Sequence, residues 1–496
     1  MLHGDRRHWM GLKRMACLVS CVLLLTVITM TPTSALTLRA GEPFHVYRHT
    51  LPNGLRVWLQ PRSDSSSVTA LVVIRAGARH EQQADNGISH FVEHMLFAGT
   101  ERWSEEEIKD TITRRGGRWN GWTSTETTTY FAQVSAQVFD IALDWLSQVV
   151  FHPTFPADKV ENERRIIFQE RWGRYGWLIN TLDSLGFGYE LDRDVRRALF
   201  PGSTLGLRIV GEDESLEKLD RAALTDYYQA RYTPENAVLI VAGNFAPDAV
   251  LDRSAQYFGA VERKGRPSLP EMPRLSDNGP HQVVVRGPML TDQTRLMVGT
   301  QTVGRTHPDR WALDVLAEVL SQDLMREIRY RQGLVYGLGA YNTVFDDVGY
   351  FVISTTSASK NKAKIQATIE AYLDKVARGE MDSARVTEAK SALKGRWALS
   401  MEDNVQRAGW LAEWAMVLDD SQSIPDYEAA IEAVTSADLT RMVKTYFSPQ
   451  RRYVGLHQPV ATVSSSATVT GAVIGLGVAA WIGRKLWRRR KQSKAT

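Results

Sequence analysis

Two short segments of this chain recur at a fixed distance along the sequence. Ala222–Thr225 corresponds to Ala437–Thr440, and Tyr232–Pro234 corresponds to Phe447–Pro449, both at an offset of 215 residues. Each pair begins at a predicted helix start and ends at a proline that leads into a strand. Two unrelated helix–proline–strand junctions would not be expected to match in both segments at the same offset. The repeat therefore predicts a duplicated domain of roughly 200 residues.

The rest of the chain fits two such domains. The predominantly apolar runs Val68–Ala76 and Val238–Ala242 have the length of buried strands, and helical patterns lie between them. Four prolines and many charges fall in residues 261–280, which predicts an interdomain linker. We therefore expect an α+β fold with two duplicated domains of mixed α/β sheet, over residues 42–260 and 281–457.

The N-terminus has the pattern of a secretory signal. Basic Lys13 and Arg14 precede the apolar run Met15–Met30, and the small residues Thr33–Ala35 follow it. This pattern predicts a signal peptide over residues 1–35 that is removed on export, with an uncleaved signal anchor as the alternative. Both cysteines of the chain lie inside this segment. A large core, rather than disulfides, must therefore hold the exported protein together.

The C-terminus carries a second apolar run, Ala467–Gly483, followed by a basic tail over residues 484–496. We predict a transmembrane helix here, although a span normally has about 20 residues. Trp481 and Arg484 can extend the short span, and the tail should stay on the cytoplasmic side. The expected location is the periplasmic face of a bacterial inner membrane, although a eukaryotic secretory membrane satisfies the same physics. The formal net charge of +4 comes partly from the two basic ends, and it gives no sign of nucleic-acid binding.

The segment His90-Phe91-Val92-Glu93-His94 reads H-x-x-E-H within a helical pattern. Apolar residues from Ile88 to Leu96 recur every three or four positions and form one helix face, which places His90, Glu93 and His94 on the opposite face. Two histidines four residues apart present both imidazoles to one point, as zinc ligands do. The motif is the zinc motif H-E-x-x-H in reverse, with Glu93 able to act on a metal-bound water. A solvated polar helix face is the plain alternative.

A catalytic zinc site needs a third protein ligand. The predicted helix Ala157–Trp172 offers Glu161, Glu163 and Glu170. Glu163 and Glu170 are seven residues apart and share a helix face, so spacing alone does not choose between them. The segment Leu313–Leu320 of the second copy has no histidine, and only the first copy is therefore expected to bind metal.

Four further segments stand in a characteristic order. They are the hairpin Leu51–Leu55, the histidine helix Gly87–Thr100, the strand Asn120–Tyr130 with Gly121 in place of a usual alanine, and the carboxylate helix Glu163–Glu170. In this order they resemble the pitrilysin-type zinc metallopeptidases, the inverzincin family that includes insulin-degrading enzyme and mitochondrial processing peptidase. The likeness covers residues 45 to 455, approximately. It implies that His90, His94 and Glu170 bind one Zn²⁺ per chain, with Glu163 as a supporting carboxylate.

In the second copy, Arg329–Tyr336 resembles the R-x-x-x-G-L-x-Y motif of the same family. The resemblance implies that Arg329 and Tyr336 contact substrate and stabilise the developing oxyanion, roles that suit a cationic fork and a hydroxyl donor. An ion pair of Arg329 with Glu327 or Asp323 at the surface is the plain alternative.

The resemblance also implies an endopeptidase mechanism. A metal-activated water attacks the peptide carbonyl, and Glu93 accepts its proton and later passes that proton to the leaving amine. Substrate is expected to bind as an added strand along Asn120, Gly121, Trp122 and Thr123. Because main-chain pairing reads shape rather than sequence, peptides and unfolded polypeptides of varied sequence should be substrates. Gly121 is expected either to loosen that edge or to let substrate come closer.

The family's architecture implies a partner chain. Its members enclose a chamber between two halves, with the metal on one half and the Arg/Tyr pair on the facing half. This chain has the length of one half and carries both motifs, which predicts a homodimer with composite sites. A heterodimer with an inactive homologous chain is the alternative. A non-catalytic structural subunit on the same fold is the rival function, and the intact set of His90, Glu93, His94 and Glu170 argues against it.

Overall fold

The computed structural model describes residues 37–38, 44–173, 191–268, 282–287 and 292–459. The predicted signal peptide, membrane helix and basic tail lie outside these residues, as does most of the predicted linker, and they stay predictions. Among the helices in the described ranges, none combines the length and the apolar character needed to cross a bilayer.

The first sheet has seven strands, and one of its edges is the predicted substrate strand. The strands are β1 (Thr37–Leu38), β2 (Tyr47–Thr50), β3 (Arg56–Pro61), β4 (Ser67–Ile74), β5 (Arg118–Thr123), β6 (Thr128–Ser135) and β7 (Ala237–Gly243). They lie in the order β1-β2-β3-β7-β4-β6-β5, with β3 and β7 parallel and the other neighbours antiparallel. Strand β5 pairs only with β6, so its other side is a free edge among the described residues.

Most helices of the first half cover one face of this sheet and form its core, whereas α5 packs on the second sheet. They are α1 (Ile88–Leu96), α2 (Glu105–Thr113), α3 (Phe139–Phe151), α4 (Ala157–Trp172), α5 (Leu191–Leu199), α6 (Asp213–Leu216), α7 (Arg221–Arg231) and α8 (Pro247–Phe258). Helix α2 begins at a capping box in which Ser104 and Glu107 satisfy each other's backbone N–H groups. Short 3₁₀ turns lie at Ala78–His80, Gln83–Asp85, Ala136–Val138, Thr204–Gly206 and Pro234–Asn236.

The second sheet has five strands. They are β8 (Gln282–Gly287), β9 (Gln293–Val303), β10 (Val335–Val344), β11 (Val348–Ala358) and β12 (Tyr453–Pro459). The helices of this half are α9 (Asp309–Leu324), a π-helical turn (Met325–Arg331), α10 (Lys362–Ala377), α11 (Ser383–Ser400), α12 (Asn404–Val417), α13 (Tyr427–Glu432) and α14 (Ser436–Tyr446), with a 3₁₀ turn at Ser359–Asn361. The predicted α+β fold with two mixed sheets is therefore confirmed.

The two sheets share one connectivity. The second sheet has the order β10-β11-β9-β12-β8, which read backwards matches β3-β7-β4-β6-β5 of the first sheet strand by strand. The parallel pair falls in the same place in both, as β3 with β7 and as β8 with β12. Helices α7 and α14 begin at Arg221 and Ser436, which are 215 residues apart. This correspondence is what the internal repeat in the sequence leads one to expect.

Each half also sends one helix onto the outer face of the other half's sheet. Helix α12 packs its buried Leu411 and Ala415 against Val73 and Ile240 of the first sheet. Helix α5 packs Leu191 and Val195 with Met297 and Tyr453 of the second sheet. The two helices occupy matching places in the repeat, and the exchange ties the halves together through two apolar cores.

Candidate metal centre and active site

Helix α1 carries the histidine motif and is fixed at its start by a buried carboxylate. Gly87 precedes the helix with φ of +99°, a left-handed conformation that favours glycine. Glu81 accepts hydrogen bonds from the backbone N–H groups of Gly87 at 2.8 Å and Ser89 at 2.9 Å, which satisfies two donors at the helix start. Burial raises the pKa of Glu81 to about 7 against the opposing effect of these bonds. The apolar face predicted for this helix is buried, including Phe91 and Leu96.

His90, His94 and Glu170 converge on one point. Oε2 of Glu170 lies 3.7 Å from Nε2 of His90 and 3.4 Å from Nε2 of His94. One ligand atom from each of the three residues lies within 4.8 Å of the others. Packing of α4 against α1 brings Glu170 to the histidines, and this contact joins residues that are far apart in the sequence.

Glu163 takes a different place from Glu170. Its Oε2 lies 3.1 Å from Nδ1 of His94, on the side of the imidazole that faces away from Glu170, and its side chain is buried. A carboxylate on the outer nitrogen of a metal-binding histidine fixes the ring's orientation and tautomer. Of the two glutamates that helical spacing left open, only Glu170 lies beside Nε2 of both histidines.

The charges of the cluster match a cation site. Burial and the neighbouring His94 lower the pKa of His90 to about 4, which keeps that imidazole neutral and able to ligate. Burial also lowers the pKa of His94, but the hydrogen bonds to Glu163 and Glu170 outweigh it and bring the pKa to about 9. The hydrogen bond from His94 holds the pKa of Glu170 below its ordinary value. A positive charge is thus favoured at the place where the three ligand atoms meet.

The spacing of these atoms also fits zinc. Protein ligands about 2.0–2.2 Å from a tetrahedral zinc ion lie about 3.3–3.6 Å from one another. The two carboxylate–imidazole separations of 3.4 and 3.7 Å are close to this range, and the three ligand atoms all lie within 4.8 Å of one another. Two histidines and one carboxylate leave one position of such a site open, as catalytic zinc sites require.

Glu93 lies on the same helix and is oriented by the edge strand. The hydroxyl of Thr123, at the end of β5, donates to Oε2 of Glu93 at 2.6 Å. Glu93 is 7% exposed, and this burial raises the pKa of its carboxyl above the ordinary value. No side chain among the described residues donates a hydrogen bond to its Oε1. Sequence reasoning placed Thr123 only in the substrate strand and missed this contact, because nothing local shows that β5 lies against α1.

The predicted substrate strand presents alternate residues to its two faces. Thr123 points to Glu93, and Trp119 packs its ring against Phe97 at 5.0 Å between centroids, on the side of α1. Trp122 points to the other side, where its ring lies 6.0 Å from that of Phe131. Asn120 lies between them in the strand and is exposed. The four predicted residues 120–123 therefore form the last part of a true edge strand.

Gly121 faces the protein interior rather than the open edge. A Cβ built at this position would lie 3.0 Å from the ring of Phe97 and 3.2 Å from that of Tyr130. The missing side chain leaves room for these aromatic rings. Neither a looser edge nor a closer approach of substrate is needed to account for this glycine.

Arg329 and Tyr336 lie together at the edge of the second sheet. The Arg329 guanidinium lies 4.8 Å from the ring centre of Tyr336 and 5.5 Å from that of Tyr330. Tyr336 is 87% exposed. No ion pair joins Arg329 to either acid of the plain alternative: Glu327 pairs with Arg331 at 3.0 Å and Asp323 pairs with Arg326 at 2.8 Å.

Arg329 and Tyr336 do not contact the histidine cluster of the same chain. Among the described residues, no hydrogen bond, ion pair or ring contact joins Arg329 or Tyr336 to the residues of the histidine cluster. Arg329 comes from a π-helical turn, a local irregularity that is frequent at functional sites.

A buried ion-pair network at the domain interface was not foreseen from the sequence. Glu126, in the turn after β5, accepts from Arg79 at 2.5 Å and from the backbone N–H of Asp346 at 3.0 Å. Arg79 also reaches Asp347 in the β10–β11 turn at 2.6 Å. The network ties the end of the edge strand to the second half. Its only signal in the sequence was the position of Glu126 inside the strand motif.

A histidine–carboxylate cluster beside the free edge of a two-domain α+β fold is the arrangement expected of a metallopeptidase. Residues 56–173 match the family described as Insulinase (Peptidase family M16), and residues 218–393 match the family described as Peptidase M16 inactive domain. The chain belongs to peptidase family M16, which confirms the resemblance read from its motifs.

Relatives and a solved structure agree with this assignment. A zinc protease of Mycobacterium leprae is 31% identical over 376 residues, which cover 74% of this chain and 81% of that protein. A zinc protease of Bacillus subtilis is 28% identical over 407 residues, which cover 81% of this chain and 96% of that protein. The crystal structure of a protease from Helicobacter pylori has the same fold, with a TM-score of 0.72 and 21% identity, over 84% of this chain and 99% of that chain.

Proposed function

We propose that this chain is a zinc-dependent endopeptidase that hydrolyses peptides or unfolded polypeptides bound along β5. The observation that carries the proposal is the convergence of His90, His94 and Glu170 next to a buried glutamate that the edge strand orients. The relatives named zinc proteases support the choice of metal.

His90, His94 and Glu170 would hold one zinc ion, and Glu163 would keep His94 in the tautomer that ligates through Nε2. Zinc at this place would supply Lewis acidity, which lowers the pKa of water and polarises the peptide carbonyl. The histidine and carboxylate donors fit zinc better than calcium or magnesium, which prefer oxygen alone.

Glu93 would act as the general base. Its Oε2 is held by Thr123, so Oε1 is left to accept the proton of the attacking water and to deliver it to the leaving amine. Burial raises the pKa of this carboxyl, which brings its base strength nearer to the value that general acid–base catalysis favours.

Substrate would pair with the free edge of β5 as an added strand. Backbone N–H and C=O groups on that side of β5 have no strand partner among the described residues, and main-chain pairing to such an edge is a common mode of peptide recognition. The peptide would then lie beside Thr123 and Glu93, with its scissile carbonyl near the metal ligands.

Arg329 and Tyr336 would serve a site on another chain. Tyr336 is exposed and Arg329 is half-buried, the guanidinium lies over the tyrosine ring, and no contact among the described residues joins either of them to the histidine cluster of their own chain. A homodimer in which each zinc half faces the Arg/Tyr half of its partner would use both groups. A heterodimer with a homologous chain is the second arrangement.

Purified full-length chain in detergent tests the proposal. We expect one zinc per chain by mass spectrometry of metals and cleavage of a quenched, unstructured peptide, with Glu93→Gln keeping the zinc and losing turnover. Cleavage that survives Glu93→Gln would refute the role of Glu93. Absence of zinc from the wild-type chain would refute the peptidase and favour a structural subunit on the same fold.

A further inference from the structure

A cavity of about 600 Å³ lies on the face of the first sheet opposite the histidine cluster. Its floor includes Val73 of β4, Thr129 of β6 and Trp122 of β5. These three residues form one cross-strand row, because Val73 pairs with Thr129 and Thr129 pairs with Trp122. The row ends at Trp122, on the free edge of the sheet.

The roof of the cavity comes from the second half of the chain. Helix α11 contributes Trp397, Met401 follows its end, and α12 contributes Gly409 and Trp410. The cavity therefore lies between the two domains, a common place for ligand pockets, and its volume is within the range of about 300–1,000 Å³ that such pockets have.

The chemistry of the lining favours an apolar occupant. Aromatic and thioether side chains supply much of the surface, beside hydroxyl and amide groups, and each charged group of the lining has an ion-pair partner, as Asp346 has in Arg75 at 3.3 Å. Arg305 pairs with Glu413 at 2.8 Å, and Glu126 pairs with Arg79 at 2.5 Å. No charge is left over to hold an ionic ligand, whereas a large apolar side chain would gain from burial here.

The geometry of strand addition supplies that side chain. A strand that pairs with β5 continues each cross-strand row by one residue, at a spacing of about 4.8 Å, and its side chains alternate between the two faces. The residue opposite Thr123 would face Glu93 and the metal ligands. The residue opposite Trp122 would extend the cavity floor and direct its side chain under Trp397 and Trp410.

We propose that this cavity is the specificity pocket for a large apolar side chain of the substrate, carried by the residue that pairs with Trp122. The inference rests on the proposed function, because it requires a peptide added along β5. It adds a preference that main-chain pairing does not provide, and it gives the second domain a part in substrate selection within the same chain.

Gly409 allows the cavity to be filled with little risk to folding. A Cβ at this helical position meets no atom within 4 Å, so Gly409→Leu should project into the cavity and also favour the helix. Gly395 of α11 is a matched control, since its Cβ would likewise meet nothing within 4 Å and it does not line the cavity. Trp122→Ala is a second variant, which removes part of the floor at an exposed edge position.

The measurement is peptide binding in the full-length chain carrying Glu93→Gln, so that turnover plays no part. Two fluorescein-labelled peptides of glycine, serine and threonine differ only by Phe or Ala at one central position, and fluorescence anisotropy gives Kd. We expect the Phe peptide to bind about 10- to 100-fold more tightly than the Ala peptide. The preference should persist in Gly395→Leu and fall to near unity in Gly409→Leu and in Trp122→Ala.

Cleavage by the chain with intact Glu93 gives the second readout. Mass spectrometry of the products should place the cut at a constant distance from Phe, and moving Phe by two residues should move the cut by two. A Phe preference that survives both Gly409→Leu and Trp122→Ala, or no binding of the Phe peptide, would overturn the pocket. Selective binding without any cleavage would refute the peptidase and support the pocket. Cleavage without a preference for Phe would support the peptidase and refute the pocket.

Discussion

The two halves of this chain each have a sheet of the same strand order, and they differ in the side chains that lie at the edge strand of that sheet. In the first half, β5 ends beside a cluster in which the buried Glu93 and the half-buried His90 and His94 come from one helix. In the second half, the equivalent edge strand β10 carries Tyr336, which is 87% exposed and stacks on Arg329. The equivalent edge strands therefore have an enclosed group beside the end of β5 and an open group at the start of β10.

The difference lies in the helix that follows the central strand of each sheet. Helix α1 has two histidines and a glutamate on the face toward β5, and α4 adds Glu170. In helix α9 the buried positions are mostly apolar, and the helix has no histidine. It continues into the π-helical turn that carries Arg329. Connectivity was retained between the copies, whereas the chemistry depends on a few side chains of one helix.

Burial also decides how each group can act. The enclosed Glu93 has a raised pKa and a fixed carboxylate, so its base strength is set within the chain. An exposed hydroxyl such as that of Tyr336 competes with water and becomes an effective oxyanion donor only in a dry site. The comparison therefore favours a self-contained metal half and a second half that is completed by a partner.

Loss of a metal ligand should have the largest effect on the first half. We expect Glu170→Ala to lower zinc affinity beyond the roughly 100-fold change typical of residues that only support a ligand, and to abolish cleavage. Zinc titration with a competing chelator measures the affinity. Glu161→Ala on the same helix is the control, because Glu161 pairs with Arg164; equal losses in both variants would contradict the ligand assignment.

Removal of one hydroxyl tests the second half. Tyr336→Phe should lower kcat/KM about 100-fold, the effect of losing one oxyanion donor, with zinc content unchanged. Mixing it with Glu93→Gln should restore about a quarter of wild-type activity, because half of the randomly formed dimers have one intact composite site. No recovery on mixing, with subunit exchange verified by size and mass, would place both groups in the same chain's site.

A smaller effect is expected from the carboxylate behind His94. Glu163→Gln should weaken zinc binding about 10- to 100-fold, because the ring then loses the partner that fixes its orientation. Saturating zinc should restore most of the activity. If zinc affinity is unchanged, Glu163 contributes to packing and not to the metal centre.

The smallest effect should come from the link between the edge strand and the general base. Thr123→Val removes the donor to Glu93 and should lower kcat about tenfold, with zinc bound as in wild type. Thr123→Ser keeps the hydroxyl and should retain most activity. Equal activity of the valine and serine variants would show that the strand does not orient Glu93.

Much of this arrangement could be read from local pattern. The apolar period of α1 placed His90, Glu93 and His94 on one face, and the offset of 215 residues pointed to a repeat whose two sheets have the same strand order. A helical period involves residues that are close in the sequence, and a repeat is a comparison of two segments of the same sequence. Both can be recognised without knowing how the chain packs.

Other features depended on contacts between distant segments. The sequence left Arg329 free to pair with neighbouring acids, gave two readings for Gly121, and gave no sign of the Thr123–Glu93 bond. Packing resolved all three, because other arginines occupy those acids, the ring of Phe97 fills the space at Gly121, and β5 lies against α1.

The sequence by itself determined that two histidines and a glutamate share one helix face, because a 3.6-residue period fixes which side chains point together. Only the tertiary structure separated the two glutamates of α4. Their spacing puts both on one helix face, whereas the docking of α4 on α1 places Glu170 between both imidazoles and Glu163 behind one of them. A helix's own period orients its side chains, but the position of one helix on another is set by the core that joins them.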